Sequence, residues 1–165
     1  MHIDSRVSRV LALVLLVAGA FTLAAQARPD FSGEWVLNRQ ASTLPPPVSN
    51  VESGVVRIEH REPSFSFHRR YVIAGTPQEG GYAIRTDGSE SSEKGPQGAT
   101  TTSTLRWDGP ALVLDMRITA AGFEATNVVR YELLDGGRQL RATEQGRSKQ
   151  LPQGNHDAVW IYDRR

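Results

Sequence analysis

The chain has 165 residues, with 19 Lys and Arg against 18 Asp and Glu, and it contains no Cys. Its positive charges form no run, which excludes the clustered Lys and Arg that neutralising nucleic-acid phosphates requires. The absence of Cys excludes a thiol nucleophile, a thiolate metal site and a lipid carried on a cleavage-site cysteine.

Residues 1–27 have the pattern of a cleaved secretory signal peptide. Arg6 and Arg9 precede the apolar run Val10 to Ala24, and Ala25-Gln26-Ala27 supplies a small-x-small cleavage site. No stop-transfer charges follow, so cleavage is expected rather than retention as an anchor. The mature protein then spans 28–165, is periplasmic or secreted, and carries no membrane span. Removing Arg6, Arg9 and Asp4 from the counts of 19 and 18 leaves 17 charges of each sign. A chain of this length forms one domain with a real core and needs no disulfides to close it.

Beyond the signal, period-two alternation dominates and no sustained helical period occurs. The first strand is expected over Phe31–Leu37. The Pro- and Ser-rich stretch 39–53, with three consecutive prolines at 45–47, reads as a loop or lid, since no strand interior tolerates it. Strands follow over Val55–His60 and Ser64–Ala74, divided by Glu62-Pro63, and over Tyr82–Thr86. A second loose segment, 87–99, is rich in Gly, Ser and Glu. Thr101–Trp107 meets Ala111–Ile118 through Asp108-Gly109-Pro110, and Thr126–Leu134 meets Gln139–Glu144 through Asp135-Gly136-Gly137. Asp-Gly corners between alternating runs are hairpin signals. Ala158–Tyr162 closes the chain. The expected fold class is therefore all-β, an antiparallel up-and-down meander of eight or nine strands. Closing it into a barrel removes the exposed edges an open sheet would leave; the alternative is a two-sheet β-sandwich.

Alternation also assigns the inner face. Leu112, Leu114, Met116 and Ile118 share it, as do Val129, Tyr131 and Leu133, and Phe65, Phe67, Tyr71 and Ile73. The same registers carry polar groups inward: Arg69 beside Tyr71, His60 beyond Val56 and Ile58, and Thr101 and Ser103 ahead of Leu105 and Trp107. An unpaired inward Arg69 is costly, so it must meet a carboxylate, reach the mouth or bind an anionic ligand; Glu144 is the candidate structural partner. Trp107, Tyr131, Trp160 and Tyr162 read first as core and rim aromatics.

Gly33-Glu34-Trp35, opening a meander of this kind, resembles the start of lipocalin and calycin barrels. The longer string Phe31 to Asn38, with Thr86-Asp87-Gly88 and Trp107-Asp108-Gly109, is similar to small exported bacterial lipocalin-like domains. The resemblance implies a barrel in which Gly33 allows close approach at the base and Trp35 plugs it. It also implies a late arginine stacked across that tryptophan, a part open to Arg164 or Arg165. The chain departs from classical lipocalins in 147–157, which is too short and too broken by Pro152 and Gly154 for their helix before the last strand.

Enzymatic signatures are missing. No nucleophile elbow, zinc helix, P-loop or dinucleotide fingerprint occurs, so no catalytic residue and no cofactor is expected. His60 and His68 fall on neighbouring strands but on opposite faces, which argues against a metal pair; His60 with Tyr131 or Glu144 is where a general base would have to be sought. The expected function is an exported lipocalin-like binding module for a small, partly apolar ligand that carries an anionic group in one version of this reading. Arg69, Tyr71, Thr101, Ser103, Tyr131 and His60 are its candidate ligand contacts. The alternative is a structural or protein-interaction domain of the cell envelope, working through loops 39–53 and 87–99.

Overall fold

The structure, a computed structural model, describes residues 28–165; the signal peptide expected over 1–27 lies outside the described residues. Ten antiparallel strands follow one another along the chain: β1 Gly33–Leu37, β2 Val51–Arg61, β3 Ser64–Ile73, β4 Thr76–Arg85 and β5 Ser91–Lys94, then β6 Thr100–Asp108, β7 Ala111–Ala120, β8 Phe123–Leu134, β9 Gln139–Ser148 and β10 His156–Arg164. They form one sheet in the order β4-β3-β2-β1-β10-β9-β8-β7-β6-β5. The first strand thus pairs with both the second and the last, and the meander rolls into a nearly closed barrel rather than two stacked sheets. No helix longer than a single 3-10 turn interrupts it, and 147–157 supplies the end of β9 and the short turn Pro152–Gly154.

Two differences from the alternation reading have a local cause. The tenth strand is β5, within the expected loose segment 87–99, where Ser91 to Lys94 pair with Ser103 to Thr100. Its residues are polar because both faces are largely solvated, so no apolar alternation marks it. β2 begins at Val51 and β4 at Thr76, both earlier than expected, since backbone pairing continues through Gly, Ser and Pro that hydropathy ignores. The remaining loop after β1 is tied down: Arg39 donates to the Val51 and Ser49 carbonyls, while Leu44 and Val48 pack on the core.

The core gathers at one end of the barrel. Phe31, Trp35, Ile58, Phe65, Leu105, Leu112 and Leu140 are essentially inaccessible, whereas Met116, Ile118 and Thr101 on the same inner faces are only partly covered. This end is closed and the opposite one is the mouth. Trp35 is 0% exposed, its indole N–H donates to the Phe31 carbonyl at 3.1 Å, and the Arg164 guanidinium carbon lies 4.3 Å from its ring. Arg164 is itself fixed by donating to the Ser32 and Gly137 carbonyls. Gly33 makes that approach possible: its φ is +148°, and a Cβ there would sit 2.9 Å from Arg164 Nη1.

Trp35→Ala should therefore lower stability by about 3–5 kcal/mol, the range for truncating a buried aromatic. Chemical denaturation measures this directly, and a wild-type midpoint would show that the indole does not plug the barrel.

Candidate functional site

The barrel is not sewn along its whole length. β4 and β5 end the sheet on either side without pairing to each other. At the closed end this gap is bridged: Asp87 pairs with Arg106, and Gly88 N–H donates to the Leu105 carbonyl at 2.9 Å. Glu62, in the β2–β3 turn, reinforces the same seam. Its carboxylate accepts hydrogen bonds from the buried Thr86 hydroxyl (2.6 Å), the Trp107 indole (2.7 Å) and His60 Nε2 (3.3 Å). Partial burial pushes its pKa up, but those three donors and the nearby Arg28 charge outweigh burial and hold it below the ordinary carboxylate value.

His60 belongs to this seam. Its side chain is only 4% exposed and is surrounded by Phe31, Phe65 and Trp107, with ring centroids 5.7–6.0 Å away. Nδ1 accepts from the Phe31 N–H at 3.4 Å while Nε2 faces Glu62. Both nitrogens thus have partners. The inward direction expected for His60 is observed, but it lies beneath the cavity and does not line it. Glu144 has other partners, so the two are not brought together.

Above the closed end lies a cavity of about 320 Å³. Arg69, Tyr71, Thr101, Ser103 and Tyr131 all line it, so five of the six residues picked out as ligand contacts converge on one space. Apolar surface comes from Leu114, Met116, Val129 and Ala142. On the gap side the lining is Gly81 to Ile84 of β4 with Ser91 and Glu93 of β5.

Two tyrosine pairs set the polarity of the interior. Tyr71 and Tyr162 share a hydroxyl–hydroxyl bond of 2.6 Å, and Tyr82 and Tyr131 share one of 2.8 Å. Burial raises the pKa of all four, so they stay neutral donors. Each pair holds two hydroxyl protons and uses one in the shared bond, leaving one O–H free to donate. Stacking keeps the rings in place: Phe67 on Tyr82 at 5.2 Å and Tyr71 on Trp160 at 5.6 Å, both nearly parallel. Alternation alone missed Tyr82 and Asn127 as lining residues. Tyr82 belongs to an edge strand whose pairing begins well before its apolar residues, and Asn127 carries no apolar signal.

Arg69 is exposed at the cavity rim, packed along Gly80 with its guanidinium carbon 5.4 Å from the Tyr71 ring. It makes no ion pair among the described residues. The expected pairing with Glu144 does not form. Glu144 instead accepts from the Trp160 indole (2.7 Å) and the Asn127 amide (2.9 Å), because the β8–β9–β10 register sets those donors beside it.

No protein-family model matches the chain, and no curated protein sequence matches it. Solved structures do. A protein titled REP1-NXSQ fatty acid transporter superposes with a TM-score of 0.54 at 16% identity, covering 82% of this chain and 96% of its own. Secretory abundant heat soluble protein 4 from Ramazzottius varieornatus gives 0.51 at 15%, covering 82% and 94%. At these identities the likeness is one of fold. What is shared is the antiparallel β-meander rolled into a nearly closed barrel.

Glu62 gives a pH prediction. A carboxylate whose pKa is depressed on folding stabilises the fold fully above its unfolded value, here 4.5, and loses that contribution as pH falls through the lower folded value. Glu62→Gln should cost about 1–2 kcal/mol at pH 7, a size that allows for its solvent exposure. The gap from wild type should narrow on acidification below pH 4.5. Thermal melts across pH 3–7 test this; a constant gap would mean that the Glu62 charge is irrelevant to the seam.

Proposed function

We propose that this chain is a binding module that holds a small, partly apolar molecule inside its barrel. The observation that carries the reading is the interior cavity of about 320 Å³, which the core leaves unfilled. Protein interiors are otherwise close-packed, and a concave space walled by aromatics with a few fixed polar groups is the usual form of a small-molecule site. The likeness in fold to a protein titled as a fatty acid transporter supports an apolar ligand.

Arg69 supports an anionic group at the rim. Its charge is exposed, no carboxylate neutralises it, and the spare hydroxyl of the Tyr71–Tyr162 pair is a second donor on the same side of the cavity. The secretory character of 1–27 supports a site of action in the periplasm or outside the cell. Among the described residues no helix is long and apolar enough to cross a membrane.

An environment-sensitive fluorophore on an alkyl chain, made with a carboxylate and with a neutral amide head, tests both halves. Both forms should bind the wild type, and Met116→Trp, which fills the cavity from β7, should abolish both. Arg69→Met should weaken the carboxylate form about tenfold, the size of one charge-assisted hydrogen bond, and leave the neutral form unchanged. If neither form binds, the cavity is not a ligand site.

A further inference from the structure

We propose that Glu144, Asn127 and His156 form a second head-group subsite, built for a protonated primary amine on an apolar tail. This rests on the cavity being a ligand site and assigns part of its chemistry.

The argument begins with an unbalanced charge. The Glu144 side chain is 19% exposed and lines the cavity, yet the two groups that donate to it, the Trp160 indole and the Asn127 amide, are neutral. No Lys or Arg pairs with it among the described residues. A carboxylate withdrawn from water without a cation is costly, whereas Arg69 keeps its hydration at the rim and needs no counter-ion.

Beside Glu144 lie two buried polar atoms without hydrogen-bond partners, Asn127 Oδ1 and His156 Nε2. Asn127 Nδ2 donates to Glu144 Oε1, which settles the amide orientation, since the flipped form would set oxygen against oxygen; Asn127 Oδ1 is then left buried with no partner. His156 Nδ1 faces the Gly154 carbonyl at 2.8 Å and must donate to it, so Nε2 carries a lone pair when the ring is uncharged and is a counter-charge to Glu144 only when it is protonated. That Nε2 is buried, has no hydrogen-bond partner and lies 3.7 Å from Glu144 Oε1. The ring cannot be displaced by its strand neighbour, because it lies where a Cβ on Gly146 would otherwise be. With the His156 ring uncharged, two acceptors and one carboxylate therefore meet at the mouth end of β8, β9 and β10, and among the described residues no hydrogen bond reaches Asn127 Oδ1 or His156 Nε2.

A primary ammonium supplies three N–H donors and one positive charge, which matches this set in number and sign. Its tail would run along Val129, Leu114 and Ala142. Arg69 stands on β3 and Glu144 on β9, so an anion at one and an ammonium at the other do not exclude each other.

Calorimetric titration of the full chain with decylamine and with decanol, below their aggregation limits and with a chelator present, tests the subsite. The expected result is at least tenfold tighter binding of the amine, with the preference abolished in Glu144→Gln while decanol affinity is retained. Asn127→Leu, which leaves the carboxylate in place, should reduce the preference and serves if Glu144→Gln does not fold. Equal affinity for the two probes in the wild type, or an amine preference that survives Glu144→Gln, overturns the subsite but leaves the cavity reading intact. A preference seen only in a parallel titration without chelator overturns it in favour of a metal ion. Binding of neither probe overturns the cavity reading itself.

Discussion

The pairing of β1 with both β2 and β10 is the constraint on which the rest of the molecule depends. Trp35 is placed opposite Val56 on one side and Arg164 on the other, so a single short strand joins the two ends of the meander. Without that joint the ten strands would be an open sheet with one apolar face in water. With it, the inner faces turn toward one another and the core can collect under the Trp35 indole. The stack of Arg164 on Trp35 reinforces the joint where the last strand meets the first.

The other junction has no β-ladder between its two strands. β4 and β5 do not pair, and the gap is bridged at the closed end by the Asp87–Arg106 bridge and by the Glu62 carboxylate with its Thr86, Trp107 and His60 donors. Farther up, Gly81 to Ile84 and Ser91 face one another across the cavity wall rather than across a ladder of hydrogen bonds. The barrel is thus closed by hydrogen bonds where it is packed and lacks a β4–β5 ladder where it is hollow.

The interior divides along the same axis. Near the closed end, Phe31, Trp35, Phe65, Leu105, Leu112 and Leu140 are buried against one another. Toward the mouth, side chains shorten to Ala142, Thr101 and Ser103, and the space they leave is edged by hydroxyls, Arg69 and Glu144. Donors and acceptors are segregated within it. The tyrosine pairs and Arg69 offer protons, while the Glu144 carboxylate and Asn127 Oδ1 accept them. A ligand that satisfied both sets would be held in one orientation.

Much of the fold was legible in the residues themselves. Alternation and the Asp-Gly corners were enough to predict an antiparallel meander, because side-chain direction in a strand depends only on parity, while the base was implied by the resemblance of Gly33-Glu34-Trp35 to the start of calycin barrels. The inward direction of Arg69, Tyr71, Thr101, Ser103, Tyr131 and His60 follows from the same parity. Parity carries no information on height along the barrel or on partners across it. Only the tertiary structure decided that His60 lies beneath the cavity, that Glu144 takes Trp160 and Asn127 rather than Arg69, and that polar Ser91 to Lys94 form a strand. Those outcomes depend on register between strands far apart in the chain, and on backbone hydrogen bonds that side-chain hydropathy does not encode.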